Sequence, residues 1–412
     1  MLTTLVVWSY AISVGVVGLP TACSFTKQVI PALKKYKLLH VPLVLLGLAC
    51  SFVAEVPLHI LLLKVVLIKL TNLLGGFDYY LPWIMYVFDL ATMGGLVLLF
   101  VQAENTRLVA EEAIKKLGGK PIESIVSLPH LKQLINPFHK LPVTIYPNIT
   151  YATNEESIEA IGKTNDYNQP RYMTLDVYTR SNRRSDSLRP VLVHIHGGAW
   201  QMGSKEPLHP YEALLVAEND WVVVNVNYRL APANAYPTHL LDVKRALRWV
   251  KQSIESFGGD PNFVVIEGDS GGGQLAAVAA FTANEAEFQP GFEQVDTSVR
   301  GVITMSGCLD IQNPKETKEF FVNRAVMNPN VEQSFLDKHS PMTALPEAGR
   351  QGKLVPFLTI VGQSDSLSDC SSTKQFKRIY DQAIEGNHGK AGCTYLALAV
   401  SSGKIDGYLS NS

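Results

Sequence analysis

Charge is scarce in this chain of 412 residues: Asp, Glu, Lys and Arg make up 18%, and 36 basic residues against 37 acidic ones leave a formal net charge of −1 at pH 7. Phosphate binding needs a concentrated basic face, so this balance argues against a nucleic-acid partner. Cysteine is sparse as well. The five residues show no C-x-x-C spacing, and neither a disulfide framework nor a zinc site is expected. Arginine is missing from residues 1–102, which hold six lysines and only three acids, Glu55, Asp78 and Asp89. Internal repeats and low-complexity tracts are absent, and nothing implies an organic cofactor or a metal.

What fills the first hundred residues instead is apolar sequence. Residues 5–23 carry no charge, 39–54 run apolar up to Glu55, and 80–101 are interrupted only by Asp89. A membrane span needs about 20 apolar residues; the third segment reaches that, the first comes close and the second is short. Residues 56–70, with Lys64 and Lys69, have the alternative of lying along the interface as an amphipathic helix. A secretory signal fits poorly, because no charge precedes Lys27. The expected organisation is a membrane region of two or three hydrophobic helices over 1–102, a polar helical connector over 103–143, and one large domain over 144–412. Lys27, Lys34, Lys35 and Lys37, between the first two segments, favour the cytoplasmic side. Three spans then leave the rest of the chain in the cytosol, whereas two spans leave it in the lumen. The glycosylation sequon Asn148-Ile149-Thr150 suits a lumenal domain, so the sequence leaves the side open.

The large domain carries the chemistry. In Glu267-Gly268-Asp269-Ser270-Gly271-Gly272-Gly273, a short apolar run precedes the turn and a small-residue helical run follows it. Strand, sharp turn and helix are the setting a G-x-S-x-G nucleophile elbow requires. About seventy residues upstream, the apolar run 191–195 leads into His196-Gly197-Gly198-Ala199-Trp200. Such a loop points backbone N–H groups at a carbonyl oxygen that is becoming an oxyanion. Gly197, Gly198 and Gly271 are the expected donors and Ser270 the nucleophile, a pairing that indicates acyl transfer. Apolar runs at 221–226, 263–266, 299–305, 355–361 and 395–400 alternate with helical patterns, which indicates parallel strands covered on both faces. Residues 143–151 and 172–179 alternate as opening antiparallel strands, and 310–350 read as excursion helices and loops.

Several blocks together resemble the hormone-sensitive-lipase-like family of α/β-hydrolases: Asn227-Tyr228-Arg229-Leu230-Ala231-Pro232 with Tyr236-Pro237, Phe257-Gly258-Gly259-Asp260-Pro261, and Gly268-Asp269-Ser270-Gly271-Gly272. The His196–Trp200 loop and Asp242-Val243-Lys244-Arg245-Ala246-Leu247 are similar to a branch of esterases well represented in bacteria. The resemblance covers residues 145–400 and implies an α/β-hydrolase fold: a mostly parallel sheet with helices on both faces, here preceded by hydrophobic transmembrane helices. It also implies hydrolysis of carboxylic esters, with a small-molecule or lipid ester as substrate, while the apolar segments of residues 1–102 make a multi-pass membrane protein the expectation. The family pattern G-x-x-D-x-L puts the triad acid at Asp365, with Asp369 and Asp310 as alternatives.

The histidine of the triad breaks the pattern. Asp406-Gly407-Tyr408 stands where His-Gly-Phe is expected, and no histidine lies beyond His388. Three explanations stay open: a different C-terminal end that carries the histidine, a catalytically impaired ligand-binding protein such as the plant gibberellin receptors, which resemble this family and lack the histidine, or a displaced base such as His339.

Overall fold

The computed structural model describes residues 2–25, 40–116, 141–182, 187–362, 365, 370–385 and 392–398. They belong to two compact units, one built mainly from the first 121 residues and one mainly from residues 122–395.

Among the described residues, four α-helices make the first unit: α1 (Leu2–Ser24), α2 (His40–Glu55), α3 (Pro57–Leu73) and α4 (Tyr80–Lys116). Pro57 opens α3, where a missing N–H costs nothing because the first helical amides lack partners. The axis of 45–54 and that of 57–73 differ by 90°. Leu2–Ser24 and Tyr80–Gln102 are each 23 residues long and apolar enough to cross a membrane. The arrangement inverts that of a soluble bundle. Leu5, Trp8, Ile12, Val16, Trp83, Val87 and Phe88 point outward, while Lys64, Asp89, Thr21, Thr71 and Thr92 are buried. Lys64 forms a salt bridge with Asp89, whose other oxygen accepts from Tyr10 Oη at 3.0 Å. An interfacial α3 with Lys64 on a wet face is therefore not what the fold shows. Helix α4 runs without a break to Lys116, so the segment expected as a separate connector from residue 103 begins as a helical continuation. Residues 117–140 lie outside the described residues.

The second unit is organised by an eight-stranded sheet in the order β1-β2-β4-β3-β5-β6-β7-β8. Its strands are β1 (Val143–Thr150), β2 (Thr174–Arg180), β3 (Arg189–Ile195), β4 (Val222–Val226), β5 (Gly259–Asp269), β6 (Gly301–Met305), β7 (Phe357–Gly362) and β8 (Cys393–Leu398). β1 and β2 pair antiparallel, β2 meets β4 antiparallel, and β3, β4, β5, β6 and β7 run parallel. The helices are α5 (Asn154–Thr164), α6 (Pro210–Asn219), α7 (Thr238–Ser253), α8 (Gly271–Phe281), the excursion helices α9 (Lys315–Phe320), α10 (Gln333–His339) and α11 (Pro341–Arg350), and α12 (Cys370–Glu385).

Alternation along the central strands sorts two faces. Val191, Val193, Val224, Val264 and Ile266 join the main core with α7 and α8, while Leu192, Val223, Val265 and Ile303 pack with Val216 and Leu215 of α6. Both faces are apolar because both are covered, which is why these strands read as continuous hydrophobic runs. β3 lies between β4 and β5, so the chain leaves β3 in one direction and returns past it in the other. Such a switch point opens a crevice at the carboxyl ends of the strands, where ligands bind in open α/β sheets. The His196 loop follows β3 and Ser270 follows β5, which delivers both to that crevice.

Candidate active site

Ser270 sits between β5 and α8 with φ 49° and ψ −114°, a backbone region that costs a non-glycine residue about 1–3 kcal/mol. Three backbone hydrogen bonds offset the strain. Its N–H donates to Met305 O at 3.1 Å, and its carbonyl accepts from Cys308 N at 2.9 Å and Gln274 N at 3.2 Å. The turn is feasible only because Gly272 presses on the end of β3: a Cβ there would stand 2.1 Å from Ile195 O. Ser270 is half-buried, between half-buried Asp269 and buried Gly271.

The His196 loop folds against this elbow. A Cβ on Gly197 would lie 3.4 Å from Ser270 Cβ, so bare backbone passes beside the serine. Gly198, Ala199 and Trp200 all have positive φ, at 121°, 53° and 61°. Gly198 O accepts from Gln201 N and Met202 N, both at 3.0 Å, and Trp200 O accepts from Ala231 N at 3.0 Å. His196 supports the loop from below. Its ring stacks on Tyr228 at 4.3 Å and its Nδ1 meets Gly197 O at 2.7 Å. Burial pushes its pKa down to about 4, so it is neutral near pH 7. Gly271 begins α8, where the first amides have no intrahelical acceptor and the helix dipole favours negative charge.

One residue that sequence reasoning missed holds these parts together. Gln274, fully buried in α8, accepts from Trp200 Nε1 at 3.0 Å and donates to Tyr236 Oη at 3.0 Å and His339 O at 2.9 Å. A lone polar residue inside the run Gly271–Phe281 was the available signal. Trp200 lies over the helix start, 3.1 Å from where a Gly271 Cβ would be. Mispositioning either one disturbs both the His196 loop and the start of α8.

Gly197 and Gly271 thus lie beside Ser270, with Gly198 next along the His196 loop. His339 is 2% exposed, its Nδ1 accepts from Tyr236 Oη at 2.9 Å, and Phe335 packs on it at 4.2 Å. Burial lowers its pKa to about 3, so it is a packing residue and not a displaced base. Asp310 is committed to its own turn, accepting from Gln312 N at 2.9 Å, Asn313 N at 3.1 Å and Asn313 Nδ2 at 3.0 Å. Asp365 follows β7, with its N–H donating to Gly362 O at 3.0 Å. Asp369, His388 and Asp406 lie outside the described residues.

A strained serine between a parallel strand and a helix, beside a glycine loop at the sheet's switch point, defines an α/β-hydrolase. Comparison with known proteins gives the same class. Residues 175–379 match the BD-FAE family. LipM of Mycobacterium tuberculosis, described as a probable carboxylic ester hydrolase, is 38% identical over 211 residues, covering 49% of this chain and 47% of its own length. Esterase LipQ of the same organism is 34% identical over 207 residues, covering 49% and 48%. The Arabidopsis thaliana isoprenylcysteine alpha-carbonyl methylesterase ICME is 31% identical over 220 residues, covering 50% and 49%. The chain therefore spans about half the length of these curated relatives. The matched half of the chain is thus similar to the BD-FAE family and to named esterases of the α/β-hydrolase class.

Proposed function

We propose that this protein is a membrane-anchored serine hydrolase that cleaves carboxylic esters with apolar acyl chains through an acyl-enzyme on Ser270. The observation that carries this reading is Ser270 held at φ 49° directly against Gly197. Ser270 Oγ forms a bond to the ester carbonyl carbon while its proton passes to a general base. The N–H groups of Gly197, Gly198 and Gly271 receive the oxyanion. Collapse expels the alcohol, which takes up the proton, and water then attacks the acyl-serine and releases the acid.

Asp365 is the proposed triad acid, from its place after β7. His196, His239 and His339 are not the base, because each is buried with a pKa lowered to about 4, 4 and 3 and each is tied to a structural partner. The apolar outside of the helical unit supports the membrane anchor, and an anchored enzyme meets lipid-like esters at high local concentration. The Arabidopsis relative's name, which refers to isoprenylcysteine, agrees with an ester attached to an apolar chain.

Labelling of the full chain with a fluorophosphonate, beside Ser270→Ala, tests the mechanism. Labelling that disappears in the variant is expected. A folded protein that takes no label removes the acyl-enzyme and leaves a ligand-binding domain.

A further inference from the structure

Helices α1 and α4 run parallel, and this decides how the chain crosses the bilayer. Contacts between them climb together along both helices and the turn before α4. Val6 meets Gly76, and Tyr10 meets Phe77 at 5.8 Å and hydrogen-bonds Asp89. Further on, Gly18 lies against Thr92 and Gly95 against Thr21 and Phe25. Helix α3 runs the opposite way. Its Lys64 reaches Ser13 O at 3.5 Å and pairs with Asp89, while Val53 and Ile60 pack with Leu96 and Leu99. At the other end of α1, Ser24 Oγ lies 3.5 Å from Cys50 O of α2. Two parallel spans require the chain to return across the same layer between them, and α3, with α2 at its broken end, is the segment placed to do so.

We infer that the helical unit is a three-span bundle in a lipid bilayer, and that the chain leaves it on the cytosolic side. This rests on the membrane-anchor reading above and deepens it. The 17 residues of α3 rise about 25 Å, close to the hydrocarbon thickness. Lys64 and Asp89, each at most 2% exposed in the side chain, neutralise one another inside the bundle, where an unpaired charge is costly. Glycines at 18 and 95 let α1 and α4 approach closely, as membrane helices do.

Basic residues fix the orientation. Parallel α1 and α4 place Lys27, Lys34, Lys35 and Lys37 on the same side as Arg107, Lys115 and Lys116, with Lys69 alone near the opposite end. A two-span chain would split those seven between the two sides. An excess of lysine and arginine marks the cytosolic side. Residues 117–140 contain Lys120, Glu123, Lys132 and Lys140 and no apolar run long enough to cross again. The hydrolase unit is then on the cytosolic side. Asn148, although exposed at a register shift in β1, stays unmodified.

The full chain, made in eukaryotic microsomes with a sequon-bearing N-terminal tag, tests this by glycosidase-sensitive mobility shifts. The expected pattern is a shift from the tag and none from Asn148, with Asn148→Gln as control. A shift at Asn148 overturns the inference, and so does the absence of a shift at both sites, since either means an even number of spans or the reverse orientation. Carbonate extraction separates the two levels of the reading. Release of the chain from the membrane defeats the anchor itself, whereas a retained chain with glycosylated Asn148 defeats only the three-span arrangement.

Discussion

Replacing Gln274 with methionine keeps the side-chain length and deletes its three hydrogen bonds. Trp200 Nε1–H then lacks an acceptor in a buried setting and His339 O loses its side-chain donor, while Tyr236 keeps its bond to His339 Nδ1. Two orphaned buried groups at about 1–3 kcal/mol each, less a small gain from burying an apolar side chain, predict a loss of about 2–4 kcal/mol. For a domain of this size that lowers Tm by roughly 5–15 °C. Turnover falls further, on the order of 10- to 100-fold, because Trp200 sets the spacing between the His196 loop and Gly271. Thermal unfolding followed by tryptophan fluorescence, with initial rates on a short-chain ester, measures both effects. Trp200→Phe supplies the internal check, since it removes the orphaned indole N–H. In the Gln274→Met background it should cost about 1–2 kcal/mol less than in the wild type. Strict additivity of the two substitutions would refute the hub.

Other perturbations follow from the same geometry. Gly272→Ala drives a methyl group to 2.1 Å from Ile195 O, a contact with backbone that no rotamer relieves, so expression without soluble, labelled protein is expected; normal labelling would contradict it. In the helical unit, Lys64→Met or Asp89→Asn alone strands one buried charge or its partner and costs about 3–5 kcal/mol. The double variant recovers most of that, as read by resistance to denaturing detergent, and equal damage in all three would deny the pairing. With buried Lys244, lowered to about 7, working against the alkaline loss, the histidine contribution to the stability of the hydrolase unit should peak near pH 6.5. Below it, unfolded chains protonate His196, His239 and His339, which burial holds neutral to about 4, 4 and 3, so the native state loses ground as pH falls. Above it, the opposite sign applies to His194. Burial disfavours its charge, but the Glu267 carboxylate at 2.6 Å prevails and lifts the pKa to about 9, so stability is lost from 6.5 towards 9. Each group contributes about 1.4 kcal/mol per pH unit within its window. Urea midpoints across this range read the profile, and His194→Gln should flatten the alkaline limb.

Much of the hydrolase unit was legible because its signals are local. The elbow at Ser270 and the loop at His196 need particular residues at fixed short spacings, and parallel strands buried on both faces announce themselves as uninterrupted apolar runs. The edges blurred. β5 extends back to Gly259 through residues the apolar run did not mark, and α4 continues well past the end of its apolar stretch because helical propensity does not stop where hydrophobicity does. Gln274 drew no reading from the sequence, and His339 stood there as a possible displaced base. Their roles come from partners up to 103 residues away, which no spacing rule displays.

Sequence by itself determined the fold class and the presence of hydrophobic helices, and it supplied the candidates Ser270, Gly197, Gly198 and Gly271, since each follows from residue type and nearest neighbours along the chain. Tertiary structure decided that His339 is packing, that Asp310 serves its own turn, and that α1 and α4 point the same way. That last relation joins Tyr10 to Asp89, 79 residues apart. Helix direction depends on which side chains meet across the bundle, and the pairing of Lys64 with Asp89 in an apolar interior enforces a choice that composition leaves open.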